Sequence, residues 1–166
     1  MRIIPSVRID RFAQLKSGDL FIYLNGADRC VALKGVDPTN DGDKIILLLR
    51  QATPNDAVPG PRVIGERSLT AISFGQDFIL RLPSEPDGWM TSYPPEDLLC
   101  VLMAGDKAYF RGNFSQYAGD FKPCWIEVSS AVLSYKIPPG TAAFAVKWEI
   151  ILQGPSAGER MILRVG

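Results

Sequence analysis

The chain contains no histidine. That absence removes Ser-His-Asp and Cys-His nucleophilic sites, histidine acid–base chemistry and most catalytic zinc centres, leaving carboxylate, lysine or tyrosine chemistry as routes to an enzyme. Cysteine is nearly as scarce. Cys30, Cys100 and Cys124 are widely spaced within apolar runs, so they make neither a disulfide framework nor a CxxC metal motif and read as small hydrophobes in a reducing compartment. Net charge is missing as well. Eighteen basic residues balance eighteen acidic ones, which withholds the field that a dedicated nucleic-acid binder uses to collect phosphates. The first ten residues carry no signal-peptide apolar core, and the longest apolar run, Leu98 to Gly105, is too short to span a bilayer. The expectation is a cytoplasmic protein with no membrane contact, in which the sequon Asn113-Phe114-Ser115 is accidental.

What is present is an ordinary globular composition. With 166 residues, 46% of them hydrophobic and 22% charged, the chain suits a single β domain over 1–166. The loop Pro83–Pro95, rich in proline, is where a division into two lobes would fall.

The organising stretch is Leu15–Arg50, read as a three-strand meander: Asp19–Leu24, Cys30–Leu33 and Lys44–Arg50, bounded by Ser17-Gly18, Asn25-Gly26 and Asp41-Gly42. Ile45 to Leu49 are apolar at successive positions, so that strand needs cover on both faces. Arg2–Ile9 reads as an edge strand. Leu69–Phe74 and Phe78–Leu82 read as a hairpin about Gly75-Gln76-Asp77. Pro94, Pro95, Glu96 and Asp97 make a good first helical turn, giving one short helix near 95–104, with a buried strand as the competing reading. In the last third, Phe144, Val146, Trp148, Ile150 and Leu152 alternate with Lys147, Glu149 and Gln153. A change of phase between Val128 and Leu133 predicts a bulge or bend near Ser129-Ser130. Ser17–Leu24 and Ala104–Arg111 echo one another faintly, each with a Gly-Asp turn before a strand. The fold expected is all-β, a barrel or two-sheet sandwich.

Four groups of residues are worth weighing as sites. Trp89, Met90 and Tyr93 sit in a Pro/Gly-rich loop where strand periodicity does not require them, as interface anchors do, although a loop can equally fold its own aromatics back onto the sheet. The region 109–125 interleaves Tyr109, Phe110, Phe114, Tyr117, Phe121 and Trp125 with Arg111 and Lys122. Such platforms hold single-stranded nucleic acids or small ligands, and they also pin long loops to barrels. Asp37–Asp43 partly matches a calcium loop but has Leu48 where the bidentate acid belongs, so it reads as a hairpin turn with no metal. Glu127 and Glu149 are the best carboxylates for acid–base work, yet each alternates with apolar residues as a solvent-facing strand residue does.

The function expected is a non-enzymatic binding or assembly module without cofactor. It would contact a protein partner, or itself, through Trp89, Met90, Tyr93, Arg111, Phe114, Tyr117 and Phe121. The alternatives are small-ligand or single-stranded nucleic-acid binding by the 109–125 region, with nucleic acid not favoured, and a histidine-free enzyme using carboxylates.

Overall fold

The structure is a computed structural model, and it describes residues 8–25, 28–39, 43–51, 62–65, 69–95, 98–117, 120–154 and 158–166. The first half of the chain forms β1 (Arg8–Arg11), β2 (Leu20–Asn25), β3 (Asp28–Asp37), β4 (Asp43–Gln51), β5 (Arg62–Gly65), β6 (Thr70–Gly75) and β7 (Phe78–Arg81). The second half forms β8 (Trp89–Met90), β9 (Val101–Ala104), β10 (Lys107–Tyr117), β11 (Asp120–Glu127), β12 (Leu133–Ser134), β13 (Thr141–Ala145), β14 (Trp148–Gly154) and β15 (Gly158–Val165). The only helical pieces among the described residues are 3-10 turns at Phe12–Gln14 and Pro86–Gly88. No helix among them is long and apolar enough to cross a membrane.

Twelve strands share one sheet along the path β1-β6-β2-β3-β4-β5-β10-β9-β13-β8, with β11 on the other side of β10 and β12 beside β11. The remaining three form a second sheet, β15-β14-β7. The fold is mostly β and sandwich-like. The long sheet curls without closing, because its path ends on β1 and β8.

Side-chain alternation then builds three apolar layers. The central one takes Leu20, Leu33, Ile45 and Leu47 from the first half, Val101, Phe110 and Ile126 from the second, and Trp148, Ile150 and Leu163 from the smaller sheet. Phe110 and Trp148 lie with ring centroids 5.3 Å apart in this layer. The opposite face of β2, β3, β4 and β6 carries Phe21, Tyr23, Ala32, Ile46 and Ala71, and the Phe12–Leu15 segment covers it. The opposite face of the second half carries Cys100, Leu102, Trp125 and Phe144. Ile45, Leu47 and Leu49 thus face one layer and Ile46 another, the double cover that an unbroken apolar run demands.

Lys34 belongs to the outer layer of the first half. Its ammonium is buried, donates to the carbonyls of Phe12 at 2.9 Å and Leu15 at 2.6 Å, and lies 4.5 Å from the Phe12 ring centroid. A charge this far from water needs such partners.

The structure corrects three sequence expectations and refines a fourth. Among the described residues near 95–104 there is no helix: residues 98–100 have no regular structure and Val101–Ala104 is strand β9. The unbroken apolar run, covered on both sides, suits a buried strand better than a one-faced helix. β6 and β7 are not a hairpin. Gly75, at φ +72°, turns the chain out of the long sheet, so that β6 pairs with β1 and β2 while β7 pairs with β14. The phase change after Val128 falls at the expected bend, which is a hairpin turn between β11 and β12 with Ala131 at φ 57° rather than a bulge. The alternation from Phe144 to Leu152 does not keep one face: Phe144 and Val146 pack in the outer layer of the second half, whereas Trp148, Ile150 and Leu152, on β14 in the other sheet, face the central layer. The edge strand is observed from Arg8 onward, residues 1–7 lying outside the described residues.

A narrow seam joins the two halves across the curl. Val36 N donates to the Ala131 carbonyl at 3.0 Å, and Val36 forms a parallel bridge with Val132. One residue earlier, a Cβ added to Gly35 would meet the Ala131 carbonyl oxygen at 3.0 Å and Ile45 Cγ1 at 3.1 Å. Backbone oxygen cannot swing aside. Gly35→Ala is therefore expected to destabilise the fold by about 1–3 kcal/mol through overpacking, against about 3–5 kcal/mol for the ordinary core deletion Trp148→Ala. Equilibrium denaturation of both variants checks this, and a neutral Gly35→Ala would show that the seam has slack.

Candidate functional site

Three of the residues singled out from sequence, Met90, Tyr93 and Arg111, meet in one place, the outer face of the second half, while Trp89 beside them turns to the other side. Trp89 is half-buried, donates its indole N–H to the Pro83 carbonyl at 3.0 Å, and packs against the central layer. Met90 packs beside Cys100, Leu102, Trp125 and Phe144. Tyr93 lies over the same patch, edge-on to Trp125 at 6.4 Å and to Phe144 at 5.7 Å, and stays 46% exposed. Arg111 reaches beneath it, with its guanidinium carbon 5.0 Å from the Tyr93 ring centroid. Trp89 and Met90 thus serve the fold, and Tyr93 alone of the three presents a large surface. The sequence could not separate them, because a covering loop and a recruiting loop use the same aromatic residues.

Arg111 is fully buried. Its Nη1 donates to the carbonyls of Pro94 at 3.0 Å and Pro95 at 2.6 Å, tying the loop down over the aromatic layer. Nε and Nη2 have no hydrogen-bond partner among the described residues. The Cys100 thiol feels the cation nearby, but burial dominates and pushes its pKa up to about 11. A thiol so held is not a thiolate at neutral pH and makes a poor nucleophile.

A second feature lies at the far end of the sandwich and had no signal in the sequence beyond alternation. Ile9 of β1, Ile72 of β6 and Ile22 of β2 stand in one row of directly paired positions. Ile22 is in the central layer, but Ile72 is 43% exposed and Ile9 77% exposed. Leu24, two residues beyond Ile22 on the same face, is 70% exposed. These side chains line a groove of about 790 Å³ whose inner end is Ile22 and Phe74 and whose rim includes Arg29 and Arg160. The groove opens beside Ile9, Leu24 and Ile72, so the central apolar layer continues into an open mouth.

The other candidates are dispersed. Phe114, Tyr117 and Phe121 fall on the paired strands β10 and β11, and their side chains lie outside what the structure describes. Glu127 and Glu149 stand in different sheets and each is ion-paired. Lys107 Nζ lies 3.1 Å from Glu127, and Ser129 first, then Lys107, hold the Glu127 carboxyl below its usual range. Glu149 takes Arg164 and, at 3.5 Å, Arg81. In the acidic loop, Asp37 turns inward and accepts from Thr39 N at 2.9 Å and from the Tyr135 hydroxyl at 2.8 Å; residues 40–42 lie outside the described residues.

Compared with protein-family models, curated proteins and solved structures, the chain matches none.

Two predictions follow from the Arg111 patch. Arg111→Met removes a desolvated cation with unpaired N–H groups together with the pin on Pro94 and Pro95. These changes offset globally but not locally, so Tm should stay within a few degrees while Cys100 labels about tenfold faster or more with a thiol reagent. Unchanged labelling would mean that the loop is held by its aromatics alone. The second prediction concerns alkaline pH. The unfolded Cys100 thiol ionises near the ordinary thiol value of 9.0 and the folded one only at about 11. Folding therefore favours the protonated form. Stability should be level below pH 9 and fall from there toward pH 11, with about 2–3 kcal/mol of the fall belonging to this thiol. Burial, reinforced by Asp37, raises Tyr135 as well and extends the fall upward. Chemical denaturation of wild type and Cys100→Ala across this range should show a shallower decline in the variant.

Proposed function

We propose that the protein is a non-enzymatic binding module whose recognition site is the apolar groove at the open end of its sandwich. The carrying observation is three large aliphatic side chains, Ile9, Leu24 and Ile72, exposed side by side over a groove continuous with the core. Scattered exposed aliphatics are ordinary, whereas a contiguous set in a concavity of this size is what ligand sites present. The two strand carboxylates nominated for catalysis are occupied with cations. Residence in the cytoplasm belongs to the same proposal and is supported by three buried cysteines with no disulfide between them.

A second reading, a protein partner docking at the loop face, is favoured by Tyr93. Its ring is half-exposed yet fixed from below by Arg111, Trp125 and Phe144, and a pre-ordered aromatic loses little entropy when it is buried by a partner.

An uncharged environment-sensitive dye such as Nile red tests the groove. Wild type should bind it with a fluorescence rise, and Leu24→Asp should abolish the rise while moving Tm by no more than a few degrees, as exposed substitutions do. Retention of the signal in Leu24→Asp would place the binding elsewhere, with Tyr93→Ala the next variant to examine.

A further inference from the structure

Resting on that reading of the groove, we infer that its ligand is a single-chain amphiphilic anion, an alkyl carboxylate or its like, with the chain along Ile72, Ile22 and Phe74 and the head between Arg29 and Arg160. The argument begins with how Arg160 comes to be there. On β14 and β15, Ile150 pairs with Leu163 and Ile151 with Met161, so Ile162 is an extra residue and the register shifts. Strict alternation from the buried Leu163 would point Met161 inward and Arg160 out. The bulge reverses this. Met161 goes to the outer side beside Ile151, and Arg160 falls opposite Leu152, a residue of the central layer. Bulges re-aim side chains in this way and recur beside sites.

Arg29 arrives by a different route. It is the direct partner of Leu24 across β2 and β3, so it shares the face on which Leu24 is exposed. Neither Arg29 nor Arg160 makes an ion pair among the described residues, whereas Arg81 and Arg164 are paired with Glu159 and Glu149. Two cations at the lip of an apolar groove select a ligand with the complementary division, a hydrocarbon part and an anionic end.

The test is a calorimetric titration of the full chain with decanoate, decanol and decyltrimethylammonium below their aggregation concentrations. Decanoate should bind about tenfold or more tightly than decanol, and each methylene added from octanoate to dodecanoate should tighten binding by about fourfold. Arg29→Gln with Arg160→Gln should bring decanoate to the decanol affinity and leave decanol itself unchanged. Should that variant not fold, wild type in rising salt reads the same quantity, since the gap between the two ligands must narrow. Equal affinity for all three heads, or a gap that neither the variant nor salt alters, overturns the inference while leaving the groove reading in place. Failure of every chain together with failure of Nile red overturns both. Binding to vesicles of anionic lipid without binding soluble decanoate also overturns it, in favour of a membrane surface.

Discussion

Strands that are apolar on both faces have to be covered twice, and this demand shapes most of the molecule. One side of the long sheet is served by the second half and the smaller sheet together. Among the described residues no third sheet meets the other side. It is covered by short irregular segments, Phe12–Leu15 over the first half and Tyr93–Pro95 over the second. Segments of that length cannot hold themselves in place by burial alone, since each ordered residue costs about 1–2 kcal/mol of backbone entropy. In both halves a buried cation provides the hold. Lys34 donates to two carbonyls of the first cover and Arg111 to two of the second. Main-chain oxygens are well suited to this, because they would otherwise be desolvated acceptors themselves.

The two covers are not equivalent. Lys34 presents a compact charge to the Phe12 face, and its cover is closed, with Phe12 and Leu15 both buried. Arg111 keeps two donor groups without partners among the described residues and carries a half-exposed tyrosine above it. A rigid guanidinium in such a layer can satisfy only those acceptors that lie in its plane. The second cover is thus the less completely buried, with Tyr93 half-exposed on the finished surface.

Much of the fold was legible in the sequence wherever one signal acted alone. The β2–β3–β4 meander and its double burial follow from Gly-flanked apolar runs, and the inward phase of Trp148 and Ile150 follows from simple alternation. Legibility failed where two elements shared one pattern. Phe144–Leu152 alternates without interruption, yet the chain changes sheet at Val146-Lys147. Leu69–Phe74 and Phe78–Leu82 look like hairpin arms because Gly75 makes the turn that a hairpin also needs, and nothing local says that the partners are β1, β2 and β14. Of the site, Trp89, Met90, Tyr93 and Arg111 were identifiable as unusual, and all but Trp89 converge on one face. Their division into packing and surface was not identifiable, since exposure depends on Trp125 and Phe144, which lie far along the chain. The groove was missed altogether. Ile9, Leu24 and Ile72 each read only as one residue of an ordinary strand, and their joint exposure depends on the pairing of β1, β6 and β2, which nothing local announces.

The charge at the mouth of the groove is a consequence of register. Along β14, the residues facing the central layer run Trp148, Ile150 and Leu152, and Leu152 is the last of them for which the structure gives a side chain. Its cross-strand neighbour on β15 is Arg160 and on β7 is Phe78. Had the bulge at Ile162 been absent, Met161 would have faced inward, and a flexible thioether is well suited to extending an apolar layer over Ile72 and Leu24. The extra residue substitutes an arginine at the point where an apolar side chain would have helped to close the sandwich. Burying a guanidinium against isoleucine without a counter-charge is unfavourable, so this end of the sandwich stays open. The register shift therefore both widens the mouth and charges it, which ties the shape of the groove and the sign of its rim to a single backbone feature.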